Sequence, residues 1–350
     1  MTKRRSSIRD VAAAANVSPS AVSLVIRGRP GVAAKTRERV WAAVTELGYE
    51  VPAPANGPRA QAVCVLIEKG AMPAVVDLFY GDIIRGFQAE AQRLGYQVLL
   101  HMYDSAADTP ALLTQTLPDE ARGLVIANDG DLRPDVIAAM NSRGLPVVLI
   151  ENHVPDHHLL CVLGDNFEAG YAVTGHLLEL GHRSLAVLRG PTKYSSLTDR
   201  LRGSLAALAE AGLIVPPELM PAPVSGHPKK GYLQMREILR LAERPSAVVA
   251  VSDKTAFGAM EAIKEAGLRI PEEIAIVGID DVHESAYTHP PLTTYRIPRH
   301  EMGLLAMRKL HHLIDGDREP SAKSVVYGEL IVRESTGVLN VETASTANTS

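Results

Sequence analysis

Apolar residues recur along this chain with two different rhythms, and the change of rhythm divides it. Between residues 7 and 49 the spacing is helical. Ile8, Val11, Ala12 and Ala15 fall at i, i+3, i+4 and i+7, one stripe of a short helix. Ser7, with Asp10 three residues later, supplies its cap, and Asn16 ends it because asparagine tolerates the left-handed exit. Ser18 and Pro19 open a second helix at once, a cap followed by a proline at the first helical position. Val22, Val25 and Ile26 form its inward side, and Gly28 ends it. A third helix, Thr36 to Leu47, carries Val40, Val44 and Leu47 inward before Gly48-Tyr49 closes it. Two short helices across a tight turn predict a helix-turn-helix, whose second helix is built to enter a major groove.

From residue 62 the pattern becomes short apolar runs alternating with helical periods. Runs at 62–67, 98–100, 123–127 and 146–150 predict strands, with helices over 82–94, near 109–118 and over 134–143. The rhythm then repeats. Strands are expected at 161–163, 185–188, 248–251 and 274–279, and helices at 167–180, 197–211, 231–242 and 255–266. Pro290-Pro291-Leu-Thr-Thr interrupts it, before a helix over 302–313 and a last strand over 325–332. Such alternation predicts parallel, doubly wound sheets. Between the two regimes, residues 50–61 hold three prolines and a glycine, the composition of a linker. The tail, 338–350, is rich in Ser, Thr and Ala and reads as disordered.

Composition refines this picture. With 46% hydrophobic but only 4% aromatic residues, the interior must be largely aliphatic, as in parallel sheets covered by helices. The whole chain is nearly neutral, at −4, but the balance is uneven. The first sixty residues carry ten Lys or Arg against four Asp or Glu, a charge of +6 that leaves −10 on the remainder. A basic head on an acidic body suits one end on phosphate and the rest held off it. Cys64 and Cys161 each sit in a strand-like apolar run and read as buried free thiols. No secretion signal opens the chain and no run reaches membrane-spanning length, so a soluble, cytoplasmic protein is expected.

Catalytic and metal chemistry find no support in the motifs. The chain has no phosphate loop, no Cys-x-x-Cys pair and no Gly-x-Ser-x-Gly elbow. His300-Glu301 opens like a zinc-protease motif, but position 304 is leucine. The adjacent pairs His157-His158 and His311-His312 point apart on a helix or strand. No enzyme, no metal and no cofactor is expected.

In order along the headpiece stand Ile8, Asp10-Val11-Ala12, Val17-Ser18, Ala21-Val22-Ser23, Gly28, Val32, Thr36 to Val40 and Leu47-Gly48-Tyr49. These residues resemble the DNA-binding headpiece of the lactose/galactose repressor family. The likeness continues through Asp165-Asn166, Gly181-His182-Arg183, Arg200-x-x-Gly203, Ser252-Asp253, Gly278-Ile-Asp280-Asp281 and Pro291-Leu-Thr-Thr294. It implies a helix-turn-helix domain over 1–49 and, over 62–337, a two-lobed domain like a type I periplasmic binding protein. The lobes would be discontinuous, with chain crossings near 161, 291 and 323. It further implies a homodimeric regulator, in most relatives a repressor, that binds a pseudo-palindromic operator in double-stranded DNA. A small-molecule effector, usually a sugar, would control it.

On the second helix, Pro19, Ser20, Ala21 and, one turn on, Leu24 should approach the groove floor. Many relatives carry arginine where Leu24 stands; leucine offers only apolar contact, for example to a thymine methyl. Ser18, Ser23, Thr36, Arg27 and Arg29 are expected on phosphates. In the large domain, Phe79, Tyr80, Asn128-Asp129, Glu151, Arg200, Asp253 and Asp280 lie at or beyond strand ends, where open α/β sheets bind ligands. The residues matching Arg200 and Asp253 commonly hydrogen-bond the effector in the family; an inter-lobe salt bridge is the competing role. The only tryptophan, Trp41, lies in the headpiece, so Phe79 or Tyr80 would have to stack on a sugar ring. The linker departs from the family's hinge helix. Pro54, Gly57 and Pro58 disfavour helix and no leucine is present to wedge into the minor groove, so an extended linker and a weakly bent operator are expected. Two other readings stay open: a solute-binding protein, which would lack the headpiece, and an architectural DNA binder, for which no ligand would alter melting or operator affinity.

Overall fold

The computed structural model describes residues 7–26, 32–47, 49, 61–68, 79–103, 117–118, 120–127, 134–153, 159–223, 230–316 and 322–337. The expectations for Gly28, Arg27, Arg29, Asn128-Asp129, His157-His158, the linker from 50 to 60, most of the helix near 109–118 and the tail lie outside them. The chain divides into two compact units, 1–60 and 61–350.

The first unit is built on α1 (Ile8–Ala14), α2 (Pro19–Ile26) and α3 (Ala34–Glu46). A capping box holds the start of α1: Asp10 N–H donates to Ser7 Oγ at 3.4 Å and Ser7 N–H to Asp10 Oδ2 at 2.8 Å. Asn16 turns the chain at φ 49°, and Ser18 Oγ accepts from Ala21 N–H at 3.1 Å to start α2. Val11, Ala12, Ala15, Val22, Val25, Val40, Ala43 and Val44 are buried together as the core of this unit. The apolar stripes thus lie where the periodicity puts them.

The second unit is two lobes. The first lobe's sheet has the order β10-β5-β4-β3-β1-β2, all parallel, from β1 (Gln61–Glu68), β2 (Tyr96–Tyr103), β3 (Ala121–Ala127), β4 (Val147–Ile150), β5 (Leu160–Gly164) and β10 (Lys323–Val326). Its helices include α4 (Tyr80–Arg93), α5 (Pro134–Ser142) and α10 (Arg299–Ile314). The second lobe's sheet runs β11-β9-β8-β7-β6, from β6 (Leu185–Leu188), β7 (Ala247–Ala250), β8 (Ala275–Asp280), β9 (Thr293–Arg296) and β11 (Glu329–Ile331). Around it lie α6 (Asn166–Glu179), α7 (Ser195–Glu210), α8 (Lys230–Ile238) and α9 (Asp253–Glu265). Strands β3, β4, β6, β7 and β8 are almost wholly buried, which explains their continuous apolar runs.

Four expectations need correction. Residues 325–332 are not one strand: the chain leaves β10 at Val326, crosses at 327–328, and re-enters the other sheet as β11, antiparallel to β9. Thr293–Arg296, read as a break in the pattern, is a strand, since Tyr295 packs inward while Thr293 and Thr294 are buried through hydrogen bonds of their hydroxyls. The crossings accordingly fall after Gly164, between Arg296 and Arg299, and at 327–328, each beyond the places expected near 161, 291 and 323. Gln61, expected as the last linker residue, opens β1.

Helix pairs are brought close by glycine. A methyl group on Gly86 of α4 would lie 2.0 Å from the carbonyl oxygen of His300 in α10, and one on Gly170 of α6 would lie 1.9 Å from that of Arg200 in α7. No side chain fits at either crossing, so these helices dock backbone to backbone.

Candidate functional site

On α2, Val22 and Val25 face the core, while Ser18, Pro19 and Ser20 are exposed and Ala21 and Ser23 half-buried. Leu24 is 39% exposed. Thr36, in the first turn of α3, is half-buried. Residues 18–26 contain no charged side chain, so this helix presents hydroxyls, a proline ring and one isobutyl group.

In the second unit, three of the seven effector candidates, Glu151, Arg200 and Asp280, meet in a buried network with Asn166. Glu151 follows β4 with φ 56° and is 1% exposed. Its Oε1 accepts from Gly164 N–H at 2.6 Å and its Oε2 from Asn166 Nδ2 at 3.2 Å. Asn166 Oδ1 in turn accepts from Arg200 Nε at 2.8 Å. Arg200, 2% exposed on α7, donates through Nη1 to Val251 O at 3.0 Å and pairs with Asp280 Oδ1 at 2.8 Å. The chain of contacts runs from the end of the first lobe's β4, through the crossing, to the end of the second lobe's β8.

Asp253 lies apart from it. At 0% exposure it accepts from Val282 N–H at 3.0 Å and Ser285 Oγ at 2.6 Å through Oδ2, and from Thr294 Oγ1 at 2.5 Å through Oδ1. It therefore bolts the loop after β8 to β9, at a position expected from the sequence to contact the effector. Burial, reinforced by the charge of Asp280, pushes its carboxyl up to about 7, against the pull of the bonds from Ser285, Thr294 and Val282.

Sequence reading passes over the residues that join the lobes beside this network. Arg299, 6% exposed at the start of α10, donates to the carbonyl oxygens of Asp280 and, at 3.1 Å, Asp281, and pairs with Asp82 of α4 at 2.9 Å. Its guanidinium also lies over the ring of Phe79, 5.8 Å from the centroid. Phe79 and Tyr80 pack edge to face at 5.2 Å, both half-buried. Burial resists ionisation of Asp82, but Arg299 and Arg85 outweigh it and hold the carboxyl below its ordinary value. Asp281 receives Arg333 at 2.6 Å and Arg296 at 2.7 Å. Asp280 and Asp281 adopt φ of 132° and 50°, conformations that cost about 1–3 kcal/mol each outside glycine. The strained turn is thus held by cations from both lobes. The only signal of it in the sequence is the doubled Asp280-Asp281 at a strand end.

Among the described residues no group of His, Cys, Asp and Glu is arranged to hold a metal ion, and no helix is long and apolar enough to cross a membrane.

Residues 7–51 match the bacterial regulatory proteins, lacI family, and residues 174–336 match a periplasmic binding protein-like domain. The chain is 32% identical over 337 residues to the HTH-type transcriptional repressor PurR of Erwinia tasmaniensis, covering 94% of this chain and 96% of that one. Among solved structures it is similar to a transcriptional regulator CelR–cellobiose complex, with TM-score 0.73 and 30% identity over 95% of this chain and 100% of that one. It is similar also to the lac repressor dimer bound to operator and the anti-inducer ONPF, with TM-score 0.75 and 26% identity over the same shares.

Proposed function

The chain belongs to the lacI family of bacterial regulatory proteins and is an effector-responsive, DNA-binding transcriptional repressor, and we propose that it acts as a cytoplasmic homodimer on a pseudo-palindromic operator. It works by binding and not by catalysis. The effector is a small polar molecule, a sugar or sugar derivative, taken up between the lobes of the second unit.

The observation that carries this reading is the recognition helix, which buries Val22 and Val25 while Ser20 and Leu24 stand exposed on its opposite side and Ser18 and Pro19 are exposed at its start. Pro19, Ser20, Ala21 and Leu24 approach base edges, while Ser18, Ser23, Thr36, Arg27 and Arg29 sit on phosphates. With so few polar donors, phosphate contacts supply most of the affinity and apolar contact to thymine methyls supplies much of the discrimination.

The effector acts on the buried network. A ligand that takes Arg200 from Asp280 also loosens the turn that Arg299 grips from the other lobe. Such a ligand binds the two lobe arrangements with different affinity, which is what shifts a conformational equilibrium. Arg200 and Asp280 are the contacts on the second lobe; Glu151, Phe79, Tyr80 and Asp129 are those on the first.

Selection of duplexes from a random pool with the full-length protein tests the reading. A two-fold symmetric site should emerge, and affinity for it should drop by orders of magnitude between about 50 and 200 mM salt. Enrichment of no sequence, or a flat salt response, would refute it.

A further inference from the structure

A cavity of about 640 Å³ lies between the starts of α4 and α10 on the first lobe and the segments following β8 and β9 on the second. None of the residues expected from the sequence to face the effector lines it. Its size suits a small organic ligand. Its wall holds four guanidinium groups, Arg85, Arg296, Arg299 and Arg333, around two carboxylates, Asp82 and Asp281. Asp82 receives Arg85 and Arg299; Asp281 receives Arg296 and Arg333. Each carboxylate thus faces two cations, leaving positive charge in excess on the inner wall. Two further carboxylates stand nearby, Glu301 on the lining and Glu329 bonded to Arg296, but both are exposed and screened by water. The 16-residue helix α10 also opens in this wall with no side-chain cap, adding the partial positive charge of its amide end.

The four arginines differ in freedom. The side chains of Arg299 and Arg333 are 6% and 18% exposed and anchored to backbone carbonyls, so their positions are set. Those of Arg85 and Arg296 are 73% and 46% exposed and bonded only to carboxylates. They can turn from their carboxylates to an incoming anion with little change in burial. Two fixed and two adjustable forks, drawn in equal number from the two lobes, match a group that accepts several paired hydrogen bonds.

We propose that this cavity binds the phosphate or carboxylate group of the effector, an acidic sugar derivative and not a neutral sugar. The inference rests on the reading that the second unit takes a small-molecule effector. It adds the chemical class and the place of recognition. Such an anion bridges Arg85 and Arg299 of the first lobe to Arg296 and Arg333 of the second and so selects one lobe arrangement.

The test uses full-length protein, calorimetric titration and thermal melting, with inorganic phosphate, glucose 6-phosphate, glucuronate and glucose as probes at constant ionic strength. At least one of the anions should bind and raise the melting temperature where glucose does not. The double variant Arg85→Gln/Arg296→Gln should weaken that binding at least tenfold, about what losing one charge-assisted hydrogen bond entails. Arg269→Gln, an exposed arginine outside the cavity, should leave it unchanged. Binding that survives the double variant, equal binding of glucose, or no binding of any anion at tens of millimolar overturns the proposal. Operator affinity measured alongside separates the two readings. If glucose alone alters operator binding, the effector role stands and the anion site falls. If an anion binds through these arginines without altering operator affinity, the site stands and the effector role falls.

Discussion

Replacing Asp253 by asparagine isolates the energetics of one buried carboxyl. Asp253 has no exposed surface, and its two oxygens accept bonds from Val282 N–H and the hydroxyls of Ser285 and Thr294. Burial raises its titration point from 3.8 to about 7, so the folded protein holds a proton that the unfolded chain gives up earlier. A raised carboxyl stabilises the fold fully below about 4, and that contribution is lost as pH climbs to about 7. A displacement of about three units at 1.36 kcal/mol each makes the loss about 4 kcal/mol. At about 2–4 °C per kcal/mol for a domain of this size, the melting temperature should fall by of order 10 °C from this group. In Asp253→Asn the amide cannot ionise. Its carbonyl can keep the bonds from Val282 and Ser285, while its amino group faces Thr294, whose hydroxyl can turn to accept. The difference between wild-type and variant melting curves should therefore grow with pH between about 4 and 7 in favour of the variant, then level off. Other groups, such as the His182 ring that burial holds below its ordinary value, cancel in that difference. Scanning calorimetry from pH 4.5 to pH 8.5 measures it. Parallel profiles for the two proteins would refute the assignment of a protonated, load-sharing carboxyl to this loop.

Other perturbations follow the same logic. Arg200→Ala removes the partner of buried Asp280 and the donor to Asn166, and should cost about 3–5 kcal/mol in urea unfolding together with any effector response; retention of full stability would place the pair elsewhere. Within α6, Gly170→Ala drives a methyl into the Arg200 carbonyl and should destabilise severely, whereas Gly175→Ala, with open space around it, should stabilise by about 0.5–1 kcal/mol. Equal effects of the two on chemical denaturation would deny the close docking of α6 on α7. In the headpiece, Leu24→Arg should shift the selected operator toward guanine at one half-site position by about 1–3 kcal/mol; an unchanged site after selection would mean residue 24 does not face bases.

Periodicity was enough to place most elements because each lobe buries its sheet between helices. A central strand such as Val147–Ile150 must then be apolar throughout, and a helix such as Tyr80–Arg93 must be apolar on one face. The helix-turn-helix was equally legible, since its caps at Ser7 and Ser18 and its turn at Asn16 are local effects that need no distant partner. Strand β9 escaped notice because its threonines are buried by hydrogen bonds to Asp253 and Thr336, residues 41 and 43 positions away along the chain. The division of residues 323–331 between two sheets was likewise hidden. Its short strands face solvent in part, and only their partners, β5 and β9, assign each to a lobe. At the candidate site, a strand end pointed to Asp280, because ligand-facing loops follow parallel strands, whereas Arg200 stands on α7. That Asp253 closes on its own loop, and that Arg299 reaches from one lobe to the turn of the other, depends on contacts between segments far apart in the chain. Spacing along a chain encodes which face of an element is buried; it carries no record of which charged groups the crossing chain will bring together.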